Sequence, residues 1–240
     1  MKRIKKWETF SKLSEGSIIL PESKTGTNLT NLGLKTLEGL NLPEKTENSF
    51  TCEDNELTTL KGSPKEVGFS FDCSNNELES LEYGPSQVER IYFCYTNKLT
   101  SLEGSPLKIE TFICDYNNLK DLKGAPKIVT KSFSCGNNPL TSLEGAPEEI
   151  GEDFNCGEFT IRNGKWGIEG WLEILENGTA KEKTLILTLL TGDLLDKFIL
   201  DDPTRLHLLD ETPNLKADVI KRTGLKDLSR LGRTIKTGLL

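Results

Sequence analysis

Hydrophobic and polar positions recur along residues 50–157 with a period of about 21 residues. Each period holds an aromatic residue, a cysteine two positions later and, in all periods but the last, an asparagine three positions after the cysteine. Leucines follow five and eight positions after the first five cysteines, then a proline and a β-branched residue. The cysteines are Cys52, Cys73, Cys94, Cys114, Cys135 and Cys156. An even spacing of this kind indicates an internal repeat that stacks into a solenoid.

The aromatic residue and the cysteine predict a short strand with one buried side. Side chains alternate along a strand, so both residues point inward and their neighbours point outward. Stacked strands lie about 4.8 Å apart, which places each cysteine over the next in a buried ladder. A free cysteine acts there as a small hydrophobic residue. Disulfide scaffolds and zinc sites pair their cysteines closely, so disulfide or metal roles are the minor interpretation, and we expect no cofactor.

The remaining recurrent positions of the repeat complete each turn. The asparagine side chain is expected to bond backbone groups where the chain leaves the strand. Glycine and proline shape the turn on the back, and 21 residues leave no room there for a full helix, so the convex side should be extended. A first turn over Leu29–Gly39 lacks the cysteine and the asparagine, as terminal turns of solenoids often do. The pattern therefore predicts about six turns over residues 29–160.

The repeat unit F-x-C-x-x-N-x-L-x-x-L-x-G-x-P-x-x-V resembles the leucine-rich repeat. It is most similar to the short bacterial type of effectors of the YopM and IpaH kind, and to the cysteine-bearing repeats of tailed-phage proteins. The phage-like phrases are Leu99–Pro106 (LTSLEGSP) and Leu140–Pro147 (LTSLEGAP). The resemblance implies a leucine-rich-repeat solenoid of short parallel strands. It also implies a phage protein that binds, and inhibits or redirects, a bacterial host protein.

The outward positions of the predicted concave face are mostly small or polar, but two adjacent turns in the middle carry apolar side chains. Contiguous exposed apolar patches mark interaction sites, and aromatic residues are enriched in protein interfaces. Acidic residues surround this group. The alternative is that the aromatic rings fold over the short strands or pack under the C-terminal segment. The predicted partner-binding residues are Ile91, Phe93, Tyr95, Ile113, Asp115, Tyr116, Asp72 and Asp153.

After the last cysteine, apolar residues at helical spacing predict a small α-helical C-terminal domain over residues 161–240. Its natural role is to cover the open end of the solenoid. Breaks are expected at Gly192 and Gly224, and Pro203 suits a first helical turn. The predicted helices are Ile168–Leu175, Leu185–Leu200, Thr204–Asp210 and Asn214–Arg230.

Residues 1–28 form an N-terminal segment with two open interpretations. Its aromatic and aliphatic residues could fold back as a cap on the first turn. Alternatively, the first turn could pair with a second copy of the chain, because the edges of solenoids invite strand addition. A homo-oligomer is therefore one of the predicted states.

Composition and charge agree with a thin, acidic solenoid. Hydrophobic residues make up 35% of the chain, a low fraction for a globular core but natural for a solenoid one turn thick. The net charge of −7 divides into +4 over residues 1–6, +5 over residues 216–240 and −16 between them. An acidic body favours a partner protein with a basic or apolar surface. The basic tail could touch nucleic acid, but no aromatic residue interleaves it and the body would repel phosphate.

The sequence carries no catalytic constellation. It has one histidine and lacks the P-loop, the G-x-S-x-G motif and the H-E-x-x-H motif. It also has no apolar run long enough for a membrane helix and no secretory segment, which predicts a cytoplasmic protein without a membrane partner. We therefore expect a non-enzymatic binding protein. The alternatives are a nuclease or nucleic-acid-binding protein acting through the C-terminal domain, and a structural component of the virion.

Overall fold

The computed structural model describes residues 26–157, 160–162, 164–190, 195–196, 199–200, 202–210 and 213–225. The chain divides into two compact units. Of the described residues, the first unit contains those up to 140 together with those of 145–166, and the second contains 141–144 and those from 167 onward. The first unit is a parallel β-solenoid, and the second unit contains the described helices.

Eight short strands form one long sheet, whose solvent-facing side we call the front face. Seven of them are parallel and in register, so that Phe50 lies opposite Phe71, and Phe71 opposite Tyr92. The eighth strand pairs antiparallel with the seventh. This arrangement confirms the predicted solenoid of about six turns of about 21 residues. In spatial order the strands are β1 (Thr27–Asn28), β3 (Phe50–Thr51), β5 (Phe71–Asp72), β7 (Ile91–Phe93), β9 (Thr111–Ile113), β11 (Phe133–Ser134), β13 (Phe154–Asn155) and β14 (Thr160–Ile161).

The back of each turn is extended, as predicted, and its short strands form two separate parallel sheets. The first sheet has the order β2-β4-β6 and the second the order β12-β10-β8. Back strands pair in the same register as front strands, with Lys45 opposite Glu66. The back strands are β2 (Lys45–Thr46), β4 (Glu66–Val67), β6 (Gln87–Val88), β8 (Lys108–Ile109), β10 (Ile128–Val129) and β12 (Glu149–Ile150).

The core is a stack of aromatic rings beside a ladder of cysteines, as the alternation predicts. All six ladder rings are fully buried, and the centroids of neighbouring rings are 4.9 to 6.0 Å apart. The six cysteines are buried and free. The stack ends on Trp166, for which the repeat pattern makes no prediction. Its ring lies 4.2 Å from that of Phe154, and its Nε1 donates to the carbonyl of Pro147 at 2.9 Å.

The repeated asparagines bond both their own turn and the preceding one. Asn117 Nδ2 donates to the carbonyls of Cys114 and Cys94, both at 3.0 Å, and Asn117 Oδ1 accepts from the N–H of Leu99 at 3.0 Å. The predicted bond to the exit of the strand is therefore present. The bonds to the preceding turn add a second connection between neighbouring turns. The same pattern is made by Asn55, Asn76, Asn97 and Asn138.

The first turn is atypical in the predicted way. Leu29 takes the place of the cysteine, because its N–H donates to the carbonyl of Thr51 at 2.8 Å and its side chain is buried. Leu34 and Leu37 occupy the two leucine positions of the repeat and are buried as well. Residues 1–25, which include most of the predicted N-terminal segment, lie outside the described residues.

The second unit contains α1 (Ile168–Asn177), α2 (Ala180–Leu189), a 3-10 helix (Pro203–Leu209) and α3 (Pro213–Thr223). α1 agrees with its prediction. α2 begins five residues before the predicted start at Leu185, because its first turn is built from polar helix formers that carry no apolar signal. Within the described residues, no helix is long and apolar enough to cross a membrane.

The ends of the last two helices follow the predicted signals. Asp202 accepts a hydrogen bond from the N–H of Thr204 at 3.0 Å, and Pro203 is the first residue of the 3-10 helix. α3 ends before Gly224, whose φ of +69° is the left-handed conformation that glycine tolerates. Gly192 and the basic tail beyond residue 225 lie outside the described residues.

Candidate protein-binding surface

Two neighbouring strands bring the five predicted apolar side chains together. Phe93 of β7 lies opposite Ile113 of β9, and Ile91 lies opposite Thr111. Tyr95 lies two residues after the end of β7, and Tyr116 lies three residues after the end of β9. The side chains of Ile91, Phe93, Tyr95 and Ile113 are half-buried, whereas Tyr116 is 59% exposed. We call Ile91, Phe93, Tyr95, Ile113 and Tyr116 the apolar patch.

Two rings of the apolar patch are packed against each other. The rings of Phe93 and Tyr95 meet edge to face, with centroids 6.3 Å apart and an interplanar angle of 85°. This geometry is a favourable one for an aromatic pair, and the contact restricts the motion of both rings. The aromatic centre of the patch is therefore ordered by its own packing.

The apolar patch also coincides with local backbone strain. The residue two positions after each cysteine has a left-handed φ of 52° to 55° in five successive turns. Three of these turns use Asp54, Asn75 and Asn137, residue types that tolerate this conformation. The two turns of the patch instead use Thr96 and Tyr116, for which it is unfavourable. Strained backbone of this kind clusters at functional sites.

Three carboxylates lie beside the apolar patch on the preceding turns. We call Glu53, Asp54 and Asp72 the acidic cluster. Burial raises the pKa of Asp72. The hydrogen bond from the N–H of Ser74 at 3.0 Å lowers it in part, and the negative charge of Asp54 raises it further. Burial also raises the pKa of Glu53, followed by the charges of Asp72 and Asp54. The pKa of Tyr95 is raised by burial and then by the charge of Asp72.

Within the described turns, the outward strand positions of the front face offer these carboxylates no cation. Two ion pairs of the solenoid join residues outside these outward positions, namely Arg90 with Glu110 at 3.5 Å and Lys127 with Glu148 at 3.0 Å. The acidic cluster therefore keeps a negative potential beside the apolar patch. The outward positions before and after the cysteines contain no lysine or arginine in any turn: Ser49, Thr51, Glu53, Ser70, Asp72, Ser74, Ile91, Phe93, Tyr95, Thr111, Ile113, Asp115, Ser132, Ser134, Gly136, Asp153, Asn155 and Gly157.

The structure separates the two remaining predicted acidic residues from the acidic cluster. Asp115 Oδ1 accepts hydrogen bonds from Ser134 Oγ and from the N–H of Gly136, both at 2.9 Å. Asp115 therefore has a structural role between β9 and β11 in addition to its place beside the apolar patch. Asp153 precedes β13, two strands beyond β9, or about 10 Å away along the sheet.

Sequence reasoning missed one feature of this surface. Ser74 occupies an outward position but is fully buried. The larger residues Glu53 and Tyr95 occupy the same position in the two neighbouring turns and flank it. A small residue between two large ones in consecutive repeats is the signal that could have revealed this. Among the described residues, no group of three or more histidine, cysteine, aspartate or glutamate side chains is placed to hold a metal ion.

Comparison with known protein families, with curated proteins and with solved structures finds no match for this chain.

Proposed function

We propose that this protein is a leucine-rich-repeat solenoid of the short bacterial and phage type, and that it binds a partner protein without catalysing a reaction. The partner-binding surface is the apolar patch together with the acidic cluster. The observation that carries the proposal is the contrast on the front face. One aromatic and aliphatic patch, on β7 and β9, interrupts a face that is otherwise small and polar.

The chemistry of this surface specifies the partner. A partner that places an apolar side chain against Phe93 and Ile113 gains hydrophobic free energy. A lysine or arginine beside it would neutralise Asp72 and Glu53. The carboxylates also steer a basic partner toward the front face, an effect that weakens as salt rises. Nucleic acid does not fit this face, because its phosphates need lysine and arginine where this surface carries carboxylates.

The biological setting that we propose follows the resemblance of the repeats to those of tailed-phage proteins. A bacterial host protein with a basic, partly apolar surface is then the natural partner. Binding alone can block or redirect such a protein, so the proposed activity needs no catalytic group. The proposed site of action is the host cytoplasm.

The test removes the two interacting rings. Phe93→Ala combined with Tyr95→Ala should weaken partner binding at least about 100-fold, because two central aromatic anchors each contribute about 2 kcal/mol or more. Pull-down from host lysate with quantitative mass spectrometry identifies the partner, and titration calorimetry then measures the affinity of the purified pair. Circular dichroism should show an unchanged fold.

A matched control distinguishes the patch from general loss of aromatic surface. Phe69→Ala with Tyr83→Ala removes two rings that are 43% and 51% exposed outside the front face. This variant should bind the partner as the wild type does. Normal binding by the Phe93 and Tyr95 variant, or equal loss in both variants, would contradict the proposed surface.

A further inference from the structure

The chemistry of the front face changes along the direction in which the turns stack. The acidic cluster belongs to the turns of β3 and β5, and the apolar patch belongs to the turns of β7 and β9. The next two strands, β11 and β13, carry small or polar residues at their outward positions, for example Ser134 and Gly136. An element of a partner that meets both the carboxylates and the apolar patch must therefore lie across the strands.

Three side chains mark the path of such an element. Asp72 of β5 lies opposite Phe93 of β7, which in turn lies opposite Ile113 of β9. Neighbouring strands are about 4.8 Å apart, so the second and third positions follow the first after about 5 and about 10 Å. The path begins at a carboxylate and continues over two apolar side chains.

The backbone of these strands is directed within the sheet rather than toward a partner. The carbonyl of Phe93 accepts a hydrogen bond from Cys73 N, and the carbonyl of Ile113 accepts one from Cys94 N, both at 2.9 Å. An extended segment crossing these strands would hold its own N–H and C=O groups over the apolar patch without partners, which costs free energy. An α-helix avoids this cost, because it bonds its backbone internally.

The spacing of side chains on a helix also fits this path. Residues four and seven positions after a given residue lie on the same face of an α-helix, about 6 and about 10.5 Å further along its axis. These distances are close to one and two strand spacings. A helix across the strands can therefore place its first residue over Asp72, the second over Phe93 and the third over Ile113.

We propose that the front face recognises an α-helix of its partner, which lies across the strands and carries a basic residue followed by apolar residues four and seven positions later. This inference rests on the proposed function, since it places the partner on the same surface. Charge complementarity selects the basic residue, because the described outward positions supply Asp72 with no lysine or arginine. The basic residue comes first because the N-terminal end of a helix is stabilised by nearby carboxylates.

The probe is an acetylated and amidated alanine-based peptide of about 18 residues, long enough to form a helix in water. It carries one lysine, followed by leucines four and seven positions later. A second peptide has a proline two positions after the lysine, which keeps the three contact side chains and breaks the helix. Fluorescence anisotropy should show that the helical probe binds the full chain at least tenfold more tightly than the proline peptide. The Phe93→Ala and Tyr95→Ala double variant should lose this binding.

Removing one charge from each molecule tests the register of the helix. Replacing the lysine of the probe by glutamine should weaken binding to the wild type at least fivefold. The same replacement should weaken binding to the Asp72→Asn variant less than twofold, because the carboxylate that the lysine contacts is then absent. Glu103→Gln is the matched control, since Glu103 is an exposed carboxylate outside the outward strand positions. This control should keep the fivefold effect of the lysine.

Three results would overturn the proposal. They are the absence of binding by the helical probe, equal affinity of the helical probe and the proline peptide, and an equal effect of the lysine in the wild type and in Asp72→Asn. If a partner captured from lysate still depends on Phe93 and Tyr95 in that case, the proposed function stands and only the helix is excluded. The two proposals can therefore fail separately.

Discussion

At the scale of single residues, Tyr92 and Gly84 compensate for each other. Tyr92 is the one tyrosine in a ladder of phenylalanines, and its buried hydroxyl makes no hydrogen bond within the described structure. A Cβ atom on Gly84 would lie 2.8 Å from that hydroxyl oxygen. Glycine at this position therefore makes room for the tyrosine. The equivalent positions of the other turns hold Ser63, Ser105, Ala125 and Ala146.

Tyr92→Phe should raise the free energy of unfolding by about 1 kcal/mol, because it removes a buried hydroxyl without a partner. Gly84→Ala should lower the free energy of unfolding of the wild type. The loss should be smaller in the Tyr92→Phe background, because the hydroxyl oxygen closest to the new Cβ atom is then absent. Urea denaturation of the four proteins of this cycle measures both effects. A Tyr92→Phe protein that is less stable than the wild type would show that the hydroxyl has a partner in solution.

Asp72 offers a second residue-scale prediction, in its dependence on pH. Asp72→Asn should preserve the bond from Ser74 N, because Asn155 at the same repeat position accepts from Gly157 N at 2.8 Å. The pKa of Asp72 is raised in the folded protein, so the stability linked to its protonated form is present at low pH and lost as pH rises through that pKa. The Asp72→Asn substitution should therefore stabilise the protein at pH 7.

The stability difference between the Asp72→Asn variant and the wild type should vanish below about pH 3.9, where the carboxyl is protonated in both states. Guanidinium denaturation at pH 7 and at pH 3 measures the two differences. If Asp72→Asn stabilises the protein equally at both pH values, the charge of Asp72 is not the cause of the stabilisation. Removing this charge should also weaken binding of the proposed basic partner, which links the residue to the proposed function of the front face.

At the scale of elements, the asparagines connect each turn to the preceding one. Each strand is only two or three residues long, so few ladder bonds hold any pair of turns together. The side chain of Asn117 adds bonds to two turns from a position that is 6% exposed. The asparagine ladder therefore supplies part of the cohesion that such short strands lack.

Asn117→Ala should lower the free energy of unfolding by about 3 kcal/mol or more, because it leaves buried carbonyls and an N–H group without their partners. The exposed neighbour Asn118 provides the matched control, and Asn118→Ala should change stability by less than about 0.5 kcal/mol. Thermal and urea unfolding of the two variants make the comparison. Equal losses of stability in the two variants would mean that the substitutions act on the local backbone rather than on the asparagine ladder.

The sequence predicts the front sheet well and the back sheet less well. The strict period sets which residues point inward, which is why the aromatic and cysteine ladders and the apolar patch appear where they are expected. The 20-residue interval before Cys114 shows that this turn is one residue shorter than the others. The sequence does not indicate whether the front or the back of the turn is shortened. The burial of Ser74 and the hydrogen bonds of Asp115 depend on which side chains lie one turn away. The repeat period alone does not predict these contacts.

At the scale of the whole molecule, the solenoid explains why so many cysteines coexist with a thin core. Each turn packs only on its neighbours, so the buried surface grows with the number of turns and never gathers in one large core. Burial raises the pKa of five of the six thiols, those from Cys52 to Cys135. Their environment disfavours the thiolate, which is the reactive form.

The folded protein should accordingly resist thiol reagents. With dithionitrobenzoate at pH 8, no rapid reaction is expected in the native state, whereas all six thiols should react after unfolding in guanidinium. The absorbance of the released thiolate counts them. Rapid reaction of a native thiol would reveal local opening of the turn that carries it.

The interruption of the back sheets between β6 and β8, in the turn that is one residue short, has a mechanical consequence. If the solenoid is pulled along its stacking direction, load passes between most neighbouring turns through both a front and a back ladder. Between these two strands the back ladder carries none of it. Under tension the stack should yield first at this point, separating into segments that each keep a three-stranded back sheet. The missing residue thus determines where the molecule breaks.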